Sequence, residues 1–302
     1  MNDKCNETNA GSVQPCLPLT WEESILRLKK QFEQQDLVKA CYYDDPLIKA
    51  AQRFYSSEEW KRVRSLMPSP STGKKALDLG AGRGIASYAL AKDGWDTTAL
   101  DPDPSCIVGT GAIRQLATDA GVRITVVQEQ GERLPFLDAS FDVVYCRQSL
   151  HHARSLQQTC REIFRVLKPG GLFLATREHV ISKDEDRQVF LDAHPLHKYY
   201  GGENAFLLKE YLFAIRSAGL RVQQILAPLD SPINYFPMSQ EKYFDYCVRP
   251  LAAILGWKLT RCLFDLNHCI GKFLMSVIVY VRNRRNQTPG RLYSFIAIKS
   301  SA

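Results

Sequence analysis

The stretch "KKALDLGAGRGIASYALAKDGWDTTALD", from Lys74 to Asp101, constrains the fold of this chain more than any other. An apolar run ends in glycines at 80, 82 and 84, and an amphipathic run follows at once. A buried strand that turns through glycines into a helix, with a second strand "DTTALD" behind it, is the opening unit of a parallel α/β sheet. Glycine lacks Cβ, so the backbone at Gly80, Gly82 and Gly84 can turn sharply and approach a ligand closely. In a doubly wound sheet that point, beyond the carboxyl end of a strand, is where ligands bind.

The alternation continues. Helices are expected over Gly84–Lys92, Pro104–Ala120 and Ser155–Leu167, the last with its apolar stripe at Leu156, Cys160, Ile163, Phe164 and Leu167. Strands are expected at "VRITVVQEQ", "FDVVYCR" and "LFLATREHV". A helix over Ala205–Ala218 and a strand "LRVQQILAP" resume the pattern. The alternating "GRLYSFIAIKS" fits a sheet edge or a hairpin. This predicts a Rossmann-like α/β fold with about seven strands. Residues 1–18 read as a flexible tail and 19–73 as an N-terminal helical cap. The cap contains a helix starting at Thr20, with Glu23 completing a capping box, and a second helix over Ser56–Met67. Residues 74–302 form the main domain, with a lid at 181–204 and a helical insertion at 229–289.

The ligand can be narrowed from the glycine spacing. A dinucleotide fingerprint needs a third glycine at position 85, and Ile85 stands there. Asp78 precedes the turn, where a pyrophosphate would be repelled and a cation welcomed. Asp101 closes the second strand, placed to accept hydrogen bonds from both hydroxyls of a ribose. A ribose, a positive amino-acid part and no phosphate together describe S-adenosylmethionine. A bare tight turn is the plainer alternative.

"ALDLGAGRG" resembles the first motif of the class I S-adenosylmethionine-dependent methyltransferases. "GERLPFLDASFDVVYCRQSLHH" and "VLKPGG" resemble later blocks of its small-molecule, type 11-like branch, in the same order over Lys74–Val180. The resemblance implies that Asp78 and the backbone of Gly80, Ala81, Gly82 and Gly84 meet the methionine part, and that Asp101, beside Pro102, meets the ribose. It puts the adenine at Gln130, Gly131 and Glu132, although the family often has an acid where Gln130 stands. Arg147 is grouped with the cofactor residues; a substrate anion or a structural ion pair would account for it equally.

Methyl transfer from a sulfonium needs an aligned nucleophile and, for a hydroxyl, somewhere for its proton to go. His151 and His152 follow the fourth strand, and His152 is the first candidate for a general base. Arg177, Glu178, His179, His194, His197, Tyr199 and Tyr200 lie beyond the fifth strand; without a tight ligand spacing they read as a solvated lid and not as a metal site. "CYYDDP" (Cys41–Pro46) can cover the cofactor from the other side. In the insertion Leu251, Leu255, Leu259, Cys262, Leu266, Ile270, Phe273, Val277 and Val281 mark one apolar face, followed by "RNRR". Packing of that face on the sheet or on a second subunit is favoured over a peripheral membrane contact through 250–285 or a lipidic acceptor.

The expected activity is methyl transfer, foremost to oxygen, of a small or lipid-like acceptor. An RNA or protein substrate is the first rival, disfavoured because "CRQS" stands where an N-P-P-Y-type tetrapeptide would be. A non-catalytic cofactor-binding scaffold is the second. The nine cysteines form no C-x-x-C pair and the N-terminus has no apolar core, which fits reduced thiols in the cytoplasm. The net charge of +7 is mild. The run "FLMSVIVYV" is too short to span a bilayer.

Overall fold

The computed structural model describes residues 19–265 and 267–300. The expected tail, 1–18, and Leu266 lie outside the described residues. In chain order the elements are α1 (Trp21–Lys30), α2 (Gln35–Ala40), α3 (Leu47–Tyr55), α4 (Glu58–Leu66), β1 (Lys75–Leu79), α5 (Ile85–Lys92), β2 (Asp96–Leu100), α6 (Thr110–Ala120), β3 (Ile124–Val127) and β4 (Phe141–Arg147). They continue with α7 (Leu156–Val166), β5 (Leu167–Ile181), α8 (Asp186–Ala193), α9 (His197–Tyr200), β6 (Phe206–Leu207), α10 (Leu208–Ser217), β7 (Leu220–Leu226), α11 (Pro232–Tyr235), α12 (Gln240–Leu255), α13 (Trp257–Leu263), α14 (Cys269–Arg285) and β8 (Arg291–Lys299).

Among the described residues the strands form one sheet in the order β3-β2-β1-β4-β5-β8-β7, with the two-residue β6 paired to β5. The order reverses between β1 and β4, and that switch point opens the crevice in which such sheets bind ligands. β8 runs antiparallel between β5 and β7. It is an interior strand, not the edge or hairpin expected. The run Tyr293–Ala297 is buried throughout, as a strand covered on both faces requires. α6 begins at Thr110, six residues after the expected start. Asp103 and Ser105 divert the chain: their side chains accept the N–H groups of Ser105 and Ile107, both at 2.8 Å, in local turns that compete with a helix.

The capping box at Thr20 and Glu23 is present, with the Thr20 N–H donating to Glu23 at 2.8 Å. The cap is locked to the sheet by a buried ion pair. Glu59 on α4 is fully buried and accepts from Arg147 Nε at 2.7 Å and from its terminal nitrogen at 3.0 Å. The Arg147 guanidinium also lies over the rings of Tyr42 and Phe54. Removing one partner of such a pair strands the other charge in the core, which costs about 3–5 kcal/mol. Glu59→Ala is therefore expected to lower unfolding stability by about that amount, read as a shifted urea midpoint. A midpoint equal to that of the unsubstituted protein would show that the pair does not hold the cap.

Candidate active site

A cleft of about 430 Å³ lies at the carboxyl ends of β1, β2, β4 and β5. Its volume falls within the usual range for small-molecule sites. Asp78, Gly80, Ala81, Gly82, Asp101, Pro102, Gln130, Gly131, Glu132, Arg147, His151 and His152 all line it. The structure thus brings together every expected site residue except Gly84, which caps the start of α5 in a left-handed conformation.

The three glycines serve different neighbours. All have positive φ, at 72°, 53° and 80°. A Cβ on Gly80 would sit 2.4 Å from the Ser149 Cβ, and one on Gly84 would press on Ile113 at 3.1 Å. A Cβ on Gly82 meets nothing within 4 Å. Gly80 and Gly84 are thus required by the protein's own packing, and only Gly82 keeps its approach free for a ligand.

Asp101 is 7% exposed, and its carboxylate accepts the Gly82 N–H at 2.7 Å and the Asp103 N–H at 3.0 Å. It shapes the glycine loop while keeping lone pairs free toward the cleft. Asp78 is buried and accepts from the Ser87 hydroxyl. Burial pushes Asp78 up to about 7 and Asp101 to about 6. Glu132 is committed elsewhere: it accepts the Arg154 and Ser155 N–H groups at 2.7 and 3.2 Å, at the start of α7. Gln130 is exposed and is the freer of the two toward an adenine. Arg147 is held by Glu59, the structural ion pair among its three alternatives.

The loop after β4 is organised by Glu178, a residue expected in a solvated lid. Glu178, fully buried on β5, accepts from the backbone N–H groups of Ser149, Leu150 and His151 and from His151 Nδ1, the last at 2.7 Å. Burial works against charge on His151, but the Glu178 carboxylate and then Glu203 outweigh it and push the ring to about 9. His151 is therefore a buried cation at neutral pH and cannot act as a base. His152 opens to the cleft, and its Nδ1 donates to the Gly202 carbonyl at 3.0 Å. Its place inside the cleft and the neighbouring His151 charge push it below the usual range, so it is neutral.

The segment 181–204 is not a solvated lid. Gln31 Nε2 and the Leu19 N–H bond to Tyr199, and Trp21 packs on Tyr200, so it is joined to α1. Tyr200, His194 and the buried Glu203 turn inward and line the cleft. Cys41, Tyr42 and Tyr43 line its other side, where Arg83 Nη1 donates to the Tyr42 carbonyl at 2.9 Å. No sequence signal links Glu178 or Glu203 to the histidines; both are brought there by the sheet and the lid.

Comparison with known proteins decides the family. A methyltransferase-domain family model matches residues 77–175. The ubiquinone biosynthesis O-methyltransferase of Pseudomonas fluorescens is 36% identical over 190 residues, 59% of this chain and 78% of that protein. This chain belongs to the class I S-adenosylmethionine-dependent methyltransferases. The dimethylglycine N-methyltransferase of Parasynechococcus marenigrum is 37% identical over 111 residues, 36% of this chain and 39% of that protein. For this and several other relatives the match spans less than half of the relative's length. The geranyl diphosphate C-methyltransferase of Streptomyces coelicolor shares the fold, with TM-score 0.56 and 13% identity over 85% of each chain.

The cleft fits the cofactor of this family: an approachable backbone at Gly82 and two buried acids facing a ligand that carries an ammonium and a ribose. Asp101→Asn is expected to weaken S-adenosylmethionine binding by about 1.5–3 kcal/mol, roughly 10- to 150-fold, in a calorimetric titration. Unchanged affinity would remove Asp101 from the ribose. The methyltransferase cofactor also predicts a pH effect. Asp78 holds its proton to about pH 7 when folded, against 3.8 for the ordinary group. Without ligand, stability therefore falls as pH rises from 3.8 toward 7, because the unfolded chain gives up the proton first. A bound ammonium favours the ionised carboxylate, so binding releases a proton and affinity should climb from about pH 5 to 8. Equal binding heats at pH 6 in buffers of different ionisation enthalpy would contradict this.

Proposed function

We propose that this methyltransferase transfers the methyl group of S-adenosylmethionine to an oxygen of a small, lipid-like acceptor. The position of His152 carries the reading. It is the neutral imidazole on the cleft wall beyond the glycine loop, with Nδ1 engaged by Gly202 and Nε2 left to accept a proton. In the proposed step the acceptor oxygen attacks the methyl carbon in line with the carbon–sulfur bond. S-adenosylmethionine, when bound, would supply the electrophilic methyl group and take the bonding pair away as a neutral thioether, while His152 Nε2 would receive the hydroxyl proton. His151, charged and buried behind it, is a positioning residue.

The lipid-like character of the acceptor rests on the insertion. Its internal core is Leu229, Cys247, Val248, Phe264, Met275 and Val279. The face expected to be covered is largely the outer one. Leu251 is half-buried, but Leu255, Leu259, Ile270, Phe273, Val277 and Val281 are exposed, Ile270 and Phe273 by 68% and 66%. Ile254, Trp257, Leu263 and Tyr280 extend this surface. An apolar patch of this extent marks an interaction site. Lys258, Arg261, Lys272, Arg284 and Arg285 accompany it, so an anionic lipid surface matches it in both polarity and charge. Among the described residues no helix is long and apolar enough to cross a membrane.

His152→Ala should slow turnover by about 10²–10⁴ with S-adenosylmethionine affinity nearly unchanged. Turnover at the unsubstituted rate with a panel of hydroxylated amphiphiles would remove His152 from the chemistry. Vesicles containing phosphatidylglycerol should co-sediment the protein more than neutral vesicles do, and an Ile270→Glu, Phe273→Glu double variant should stay in the supernatant. No pelleting, with a dimer by light scattering that the same variant dissociates, would assign this face to a second copy.

A further inference from the structure

Four imidazoles converge on one carboxylate behind His152, more than the proposed proton transfer uses. Glu203 presents Oε2 to His151 at 3.5 Å and to His152 at 3.8 Å, and Oε1 to His194 Nδ1 at 3.8 Å. The first side is already engaged, because His151 lies between the Glu178 carboxylate, 2.7 Å from its Nδ1, and Glu203. The second side is different. His194 Nδ1 is buried and has no hydrogen-bond partner. His179 donates Nδ1 to the Gly290 carbonyl at 2.8 Å, which leaves the Nε2 lone pair as its free ring site. A backing acceptor on one ring nitrogen is the arrangement that fixes the tautomer of metal-ligating histidines. Tyr200 Oη donates to Glu203 Oε1 at 2.9 Å and steadies the carboxylate. One ligand atom from each of His179, His194 and Glu203 lies within 4.8 Å of the other two.

We propose that His179, His194 and Glu203 form a site for a divalent first-row transition ion, with zinc the best match. Two imidazoles and a carboxylate suit zinc or iron(II), whereas magnesium and calcium prefer oxygen ligands alone. Ligands at 2.0–2.1 Å from a tetrahedral zinc lie about 3.4 Å apart. Side-chain rotation on binding must close the observed spacing, at most 4.8 Å, to that value. The three ligands come from β5, the end of α8 and the loop after α9, so an ion here also ties the inward-turned segment to the sheet. Three protein ligands leave a fourth position for water or for an acceptor oxygen, as catalytic zinc sites do. That last role rests on the function proposed above; the site itself does not.

The test uses the full chain, dialysed against chelator. Zinc is added in calorimetry, cobalt(II) in visible absorption, and magnesium as a control. One equivalent of zinc should bind, cobalt should give the ligand-field bands of a low-coordinate nitrogen–oxygen site, and magnesium should give no heat. His194→Ala and Glu203→Gln should each lower zinc affinity by roughly 100-fold or more. Circular dichroism and a cooperative urea transition check that the variants are folded. The exposed Cys106, Cys262 and Cys269 are unchanged in both variants, so zinc held by thiols persists in them. Equal zinc binding by the unsubstituted protein and both variants, or none by any, overturns the site. Zinc binding that the variants abolish, in a protein that methylates no hydroxylated acceptor, keeps the site and overturns only the proposed function.

Discussion

One buried carboxylate organises the working end of this sheet. Glu178 collects three successive backbone N–H groups and a ring N–H from the loop after β4. A fully buried carboxylate without donors would be costly; with four it is satisfied and holds the loop in one shape. The rest follows from that shape. Ser149 is held where its hydroxyl donates to the Leu79 carbonyl at 2.8 Å and its Cβ occupies the space over Gly80. The glycine loop is thereby pressed into its left-handed turns, and Gly82 is left facing the cleft. His151 is favoured in its charged form, and burial together with that charge pushes His152 below the usual range. The sequence places Gly80 and Glu178 nearly a hundred residues apart, yet each requires the other.

Much of this fold is legible in the sequence, and the reasons are local. β4 coincides with "FDVVYCR" because the apolar run Val143–Cys146 must be covered on both faces, as a central strand is, and Arg147 closes it. α1 and α5 start where a capping box and a glycine place them. The misreadings share a cause as well. Alternation in "GRLYSFIAIKS" suggests one wet face, but four of its central residues, Ser294 to Ala297, are buried whichever way they point. In the insertion, a regular spacing of apolar residues identified a face without showing which side of the helix meets the protein. Met275 and Val279 go inward, while Ile270, Phe273 and Val277 go outward. Helical period gives a stripe; burial needs a partner, and partners are set by tertiary structure.

The site divides along the same line. Asp78, the glycines and Asp101 lie within one strand–turn–helix–strand unit, so their meeting is a local property of the chain. The histidine cluster is not local. His151 and His152 come from the loop after β4, His179 from β5, and His194 and Glu203 from the segment that packs on α1. Spacing in the sequence carries no trace of that convergence, which is why His179 and His194 read as part of a solvated lid and His151 and His152 as a separate site. The guanidinium of Arg147 shows the same limit: its partner Glu59 sits in the cap, before the sheet begins.

Three consecutive residues of β5 connect these parts, and a break in the strand allows it. In a regular strand Arg177 and His179 would share a face and Glu178 would take the other. The pairing of β5 with β8 shifts register between Ala175 and Glu178, and Arg177 has φ 61°. A bulge of this kind re-aims side chains beside an active site. A left-handed arginine costs of order 1–3 kcal/mol, so the surroundings must hold it. Arg177 Nη1 does so by donating to the carbonyls of Ile233 and Phe236, at 2.8 and 2.9 Å, which anchors the base of the insertion. Its own N–H donates to Ser294 Oγ, and Ser294 in turn donates to Asn234 of α11. Glu178 then faces the loop after β4, and His179 faces the cluster around Glu203. The irregularity is thus where the outer apolar surface, the cofactor loop and the histidines are mechanically joined, and straightening it would detach all three.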